Sequence, residues 1–264
     1  MQRYINFIIP CNTRYLIIVK LLLLELILIW SLRNSQMIMG TIDEYARMHE
    51  RSDIALMKEV SYGNVEAFAL LMDRYTELVS RTSFRILCDR EGSEYVTVKV
   101  FVSLWNDVSE YDDRFSMSEW LLRKTCLYSR IRITRRRILR IFGVTTDVFV
   151  NASPVVEDQD DYVTKKAWEL FCRSVSHMTP LQSVVYALCC LECMDDDVVA
   201  KITGLSRSRI HIALRRAEDK VCYELNRFNK SSDYERYKGF LRKVAESLTD
   251  RSKLRKEILA QAGI

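Results

Sequence analysis

The residues best suited to chemistry crowd into one stretch, Asp195 to Ala217, which reads DDDVVAKITGLSRSRIHIALRRA. Arg207, Arg209, Arg215 and Arg216 supply guanidinium groups, and Ser208 and His211 supply hydrogen-bonding side chains between them. Such a set grips phosphate oxygens and base edges rather than breaking covalent bonds. In a helix each residue advances about 100°. Ile210, Ala213, Leu214 and Ala217 then share one side. Ser208, His211, Ile212 and Arg215 share the other, with Arg207 at the entry and Arg209 and Arg216 on a flank. Apart from Ile212, that outer side suits a major groove; an ordinary helical hairpin with a basic outer face would carry the same pattern.

Other candidate chemistry is thin. Cys189, Cys190 and Cys193 form a Cys-Cys-x-x-Cys cluster, but a zinc site wants four ligands and no fourth is adjacent, since His177 and His211 fall on other helices. With three histidines (His49, His177 and His211) there is no catalytic grouping, and no Gly-rich phosphate loop, nucleophile elbow or paired-acid motif is present. The expectation is a protein that is not an enzyme, with no metal and no cofactor. The 8 cysteines are scattered rather than spaced as a framework, which reads as reduced thiols of the cytoplasm.

The elements that must position the basic stretch are helices. Across 264 residues there are only 7 Gly and 3 Pro, too few for the turns of an all-β fold, so an all-α chain is expected. The net charge of +5 is mild and decides nothing until its distribution is known. Asp195 is placed to cap a short helix whose first turn holds Asp196 and Asp197, and this helix stops at Thr203-Gly204. Ser206 restarts the chain as a second helix, so the two must cross steeply in a helix-turn-helix. Upstream, Thr179-Pro180 is a strong helix start, and Leu181, Val184, Val185, Leu188 and Leu191 follow at helical spacing. Helical pattern in this part begins at Lys165.

Four earlier amphipathic helices are predicted. Ser52 opens the first, which ends at Gly63, and Asn64 caps the second, with its stripe from Ala67 to Thr82. Gly92 breaks the pattern and Ser93 restarts it as a third helix through Val108. Ser116 or Ser118 opens a fourth that holds Trp120 and Leu121 and runs into Arg130, Arg132, Arg135, Arg136, Arg137 and Arg140. The layout is therefore two small helical domains, 41–142 and 165–229, joined by an acid-rich linker at 143–164 and followed by an extension at 230–264. Leu254, Ile258 and Leu259 form a late stripe in that extension, which is expected to pack on the second domain or to bind a partner.

Residues 1–40 stand apart. Tyr15 to Leu32 is an apolar run holding Lys20 and Glu25, close to the roughly 20 residues of a membrane span. Either translation begins at Met37 or Met39 and the run is never made, or it is an anchor or a buried helix. A membrane enters the account only if residues 15–32 are expressed.

These residues support a family resemblance. Met178-Thr-Pro-Leu-Gln182, VVYALCCLE and the stretch from Asp195 resemble region 4 of bacterial RNA polymerase sigma factors. Gly63-Asn64 with Ala67-Phe68, Leu71 and Tyr75, then EYVTVKVFVSLW from Glu94 to Trp105, and Trp120-Leu121 with the arginine run, resemble region 2. Two such regions and a linker resemble the extracytoplasmic-function class, over about Ser52 to Asn226. The resemblance implies promoter DNA, core RNA polymerase and an anti-sigma factor as partners. It would set Arg207, Ser208, Arg209, His211, Ile212, Arg215 and Arg216 against the −35 element. Arg130, Arg132, Arg135, Arg136, Arg137 and Arg140 would lie near the −10 element and its melting, and Tyr95, Val98 and Val102 would meet the polymerase. The chain departs from the family where Tyr95 and Val98 stand in place of the usual Asp and Gln. An Asn usual near Leu127 is missing, and Ala213 replaces a common Arg. The alternative is a polymerase-independent helix-turn-helix regulator, or a degenerate sigma homologue acting by protein contacts.

Overall fold

Helix α1 (Asp53–Ser61) begins a run of helices set by local capping. Asn64 caps α2 (Val65–Leu87), its side chain accepting from the Ala67 N–H at 3.1 Å. Asp89 caps α3 (Arg90–Asn106) by accepting from the Gly92 N–H at 2.8 Å. Ser116 opens α4 (Met117–Ile141) with a reciprocal capping box to Glu119. The structure, a computed structural model, describes residues 52–112, 114–142, 160–228, 238, 239, 241, 242 and 251–264. Among the described residues, regular structure is all helical. The remaining helices are α5 (Asp160–His177), α6 (Pro180–Tyr186), α7 (Asp196–Thr203), α8 (Arg207–Phe228) and α9 (Arg251–Ala262). Residues 1–40, including the apolar run, and the linker residues 143–159 lie outside the described residues. No described helix is long and apolar enough to cross a membrane.

Two helix starts differ from the sequence expectation. Helix α3 starts at Arg90, not Ser93, because Asp89 supplies the cap and Gly92 lies within the first turn. A Cβ at residue 92 would sit 2.7 Å from Arg136 Nη2 and tighter still against the Asp89 carboxylate, so glycine here makes room for side chains rather than ending a helix. Helix α5 starts at Asp160 rather than Lys165, so the last residues expected as linker belong to its first turn.

The residues 53–264 form one unit. Leu56, Phe68, Leu71, Val100, Phe101, Leu104 and Leu121 are fully buried where α1 to α4 pack, each contributing roughly 1.5–3 kcal/mol of burial. Two further clusters join the parts expected as separate domains. Ile86 of α2 and Leu122 and Cys126 of α4 pack with Val184, Val185, Val199, Ile202 and Ile210 of α6, α7 and α8. Phe84 and Cys88 pack with Trp168, Phe171, Tyr186, Val221 and Leu241; the Phe84 and Trp168 rings stack at 4.7 Å. The α2 stripe read from sequence stopped at Thr82, and it is the next turn, Phe84 to Leu87, that carries the second contact face.

A buried ion cluster accompanies this core. After α6 the chain continues as a π-helical turn, Ala187–Leu191, and delivers Glu192 to α2. Its carboxylate accepts from Arg85 at 2.8 Å, Arg81 at 3.1 Å and the Thr82 hydroxyl at 3.0 Å, with the Arg85 and Glu192 side chains 3% and 4% exposed. Arg85 also donates to the Leu191 and Arg242 carbonyls, and Arg242 donates to the Cys190 carbonyl. Removing one partner strands a buried charge. Glu192→Ala is therefore expected to lower stability by about 3–5 kcal/mol. Urea unfolding reads this as a lower midpoint at unchanged slope.

Candidate nucleic-acid interface

Helices α7 and α8 are joined by Gly204, Leu205 and Ser206 and pack on each other. Gly204 has φ +70° and its N–H donates to the Ala200 carbonyl at 2.8 Å, a left-handed cap that glycine adopts without strain. Asp195 holds the N-cap position of α7 without a side-chain cap bond. On α8, Ile210 is fully buried, Ala217 is too, and Ala213 is 6% exposed. Arg207, Ser208, Arg209, His211, Ile212, Arg215 and Arg216 are all exposed, so one continuous outward surface carries the whole expected set.

The first turn of α7 reaches across that surface, which the sequence reading missed. Asp197 accepts from Arg207 (Nε to Oδ1, 2.8 Å), and His211 Nε2 stands 3.0 Å from Asp196. The bond to Asp197 raises the Arg207 pKa above its ordinary value. The signal was the run Asp195-Asp196-Asp197, read only as a helix start. Two of the basic groups thus meet a built-in anionic counterpart, while Arg209, Arg215 and Arg216 line the rest of the helix.

The arginine run on α4 divides in two. Arg130, Arg135 and Arg140 are exposed. Arg136 pairs with the buried Asp89, Arg132 stands 4.0 Å from the same carboxylate, and Arg137 donates to the Met178 carbonyl. Burial pulls Arg132, Arg136 and Arg137 below their ordinary pKa. These three side chains are spent on the fold. Beside the exposed ones, Leu127, Ile131 and Ile138 of α4 and Leu181 of α6 line an open apolar groove.

The three residues expected to meet a partner on α3 do not share one environment. Tyr95 is 43% exposed, with the Arg132 guanidinium 4.8 Å from its ring centre; Val98 is 1% exposed; Val102 is half-buried. Of the extension, Leu241 packs on the α5–α8 part as expected, whereas helix α9 packs on α3. At the other end of α4, Lys201 of α7 donates to Glu119 at 2.6 Å and holds that carboxyl below its ordinary range. This tie is at full strength above the ordinary carboxylate pKa and weakens as pH falls.

Cys189 and Cys190 lie on the π turn, and Cys193 follows two residues after its end. Burial pushes Cys189 up to about 11 and Cys190 to about 12, which keeps both thiols neutral. Among the described residues, no group of three or more His, Cys, Asp or Glu is placed to hold a metal ion.

No family model matches the chain, and no curated protein matches it. Among solved structures it is similar to one described as the structure of CnrH in complex with the cytosolic domain of CnrY. That similarity is at 18% identity and a TM-score of 0.45, over 68% of this chain and 100% of that one.

The division of the α4 arginines is open to test. Arg136→Ala leaves Asp89 buried without its closest cation and is expected to cost about 3–5 kcal/mol of stability. Arg135→Ala, on the solvent side, should stay within about 0.5 kcal/mol of the parent. Thermal or urea denaturation of the two variants distinguishes them.

Proposed function

We propose that the chain is a promoter-recognition subunit of the sigma type. It joins core RNA polymerase, sets α8 in the major groove of a −35 element through its helix-turn-helix, and brings the exposed arginines of α4 to the −10 region, doing no chemistry itself. One observation carries this reading: the entire cationic side of α8 faces solvent above a buried apolar back. Arg209, Arg215 and Arg216 are the candidates for base edges and phosphates, and Arg130, Arg135 and Arg140 for the melted strand. Arg132, Arg136 and Arg137, first grouped with them, support α4 from inside.

A specific observation favours a second reading, a helix-turn-helix regulator that works without polymerase. Val98, on the proposed docking face of α3, is buried. Such a regulator would bind a palindromic site as a dimer with no polymerase present.

Run-off transcription with core polymerase decides between them. Start-site-specific transcripts and co-purification with polymerase are the expected results, and absence of both at low salt overturns the proposal. Within it, Arg215→Ala should weaken −35 binding by about 1–3 kcal/mol and relax specificity at the contacted position. Asp196→Asn combined with Asp197→Asn releases His211 and Arg207 from their carboxylates. Fluorescence anisotropy should then report tighter duplex binding and a steeper dependence on salt concentration. Unchanged slope and affinity would show that these acids do not compete with phosphate.

A further inference from the structure

We infer that α9 is a built-in competitor for the partner-docking face of α3, an inference that rests on the polymerase-docking reading above. On α3 the side turned to the α1–α4 core is marked by Val96, Val100 and Leu104, all fully buried. Val98 projects about 200° from Val96 around the helix and about 60° from the fully buried Phe101, at the edge of that core. It is nevertheless 1% exposed. Helix α9 is one of the elements packed on α3.

The cover is a two-residue apolar ridge with a charged frame. Leu254 and Ile258, four residues apart on one side of α9, are 1% and 0% exposed. Around them Lys253 donates to Glu94 at 2.6 Å, Arg255 to Asp73 at 3.1 Å, and Arg251 pairs with Glu77. Three cations of α9 therefore meet three carboxylates of α2 and α3, a charge match that fixes which helix sits on this face and how. Glu94 lies one turn before Val98 on the same side of α3, so the contact that pairs Lys253 sits beside the docking residue.

The design is suited to release. The three ion pairs are solvent-accessible and weak individually, and the buried ridge is small. A partner presenting its own helix to α3 has to displace α9 first. Its apparent affinity falls by the fraction of molecules in which α9 is open.

The test uses the full chain carrying Arg251→Glu, Lys253→Glu and Arg255→Glu together, which opposes each carboxylate with another. A second variant lacking residues 251–264 guards against misfolding of the first, and helical circular dichroism checks both. Core polymerase binding is measured for each against the parent at matched salt. In parallel, Val98→Cys is introduced with and without the charge reversals, and maleimide labelling at that position is followed by peptide mass spectrometry. The expected results are labelling that accelerates on reversal and polymerase binding about fivefold or more tighter. Equal labelling in both backgrounds overturns the cover. Faster labelling with equal or weaker polymerase binding overturns competition. Faster labelling with no polymerase binding in any variant removes the docking reading itself, and competition with it, while the cover stands.

Discussion

The Glu192 carboxylate is almost without solvent, and taking such a group out of water costs several kcal/mol unless cations and donors surround it. Here Arg81, Thr82 and Arg85 of α2 do so, and Arg85 extends the cluster to the Leu191 and Arg242 carbonyls. Apolar contacts alone would let α6 slide along α2, since Val, Leu and Ile surfaces tolerate many registers. A buried ion cluster tolerates one. The placement of α7 and α8, and so of every exposed arginine on α8, follows from where that carboxylate is held.

Much of the fold was legible in the sequence because its signals are local. Asn64, Ser116 and Thr179 cap the helices they precede, Gly204 turns the chain with positive φ, and Ile210 points into the core. What stayed hidden was long-range. Phe84 and Ile86 on two sides of α2, and Cys88 just beyond it, are plainly apolar, yet nothing local says that their partners lie some hundred residues on, in α5 and α6. Gly92 looked like a breaker because the need for a missing Cβ, room for Arg136 beside Asp89, comes from α4.

The candidate site shows the same division. Helical phase alone identifies the outer side of α8, and the exposed residues match it. Phase cannot say which arginines of α4 are committed inward, because that depends on Asp89 and on the Met178 carbonyl. Nor can it say that Asp196 and Asp197 fold back over His211 and Arg207. Cations counted along a sequence overstate those available to a polyanion; here about half of the α4 run is held by the protein itself.

The π turn at Ala187–Leu191 has an effect out of proportion to its length. The Glu192 N–H reaches the Ala187 carbonyl at 2.8 Å and the Met194 N–H the Leu188 carbonyl at 3.0 Å, each spanning more residues than an α-helical turn. One surplus residue in a helix rotates everything after it by about 100°. Cys189 and Cys190 stand side by side in that turn, and the rotation it introduces aims Glu192 at the arginines of α2. A chain shorter by one letter between Tyr186 and Leu191 would turn the acid by about 100°, away from its arginines.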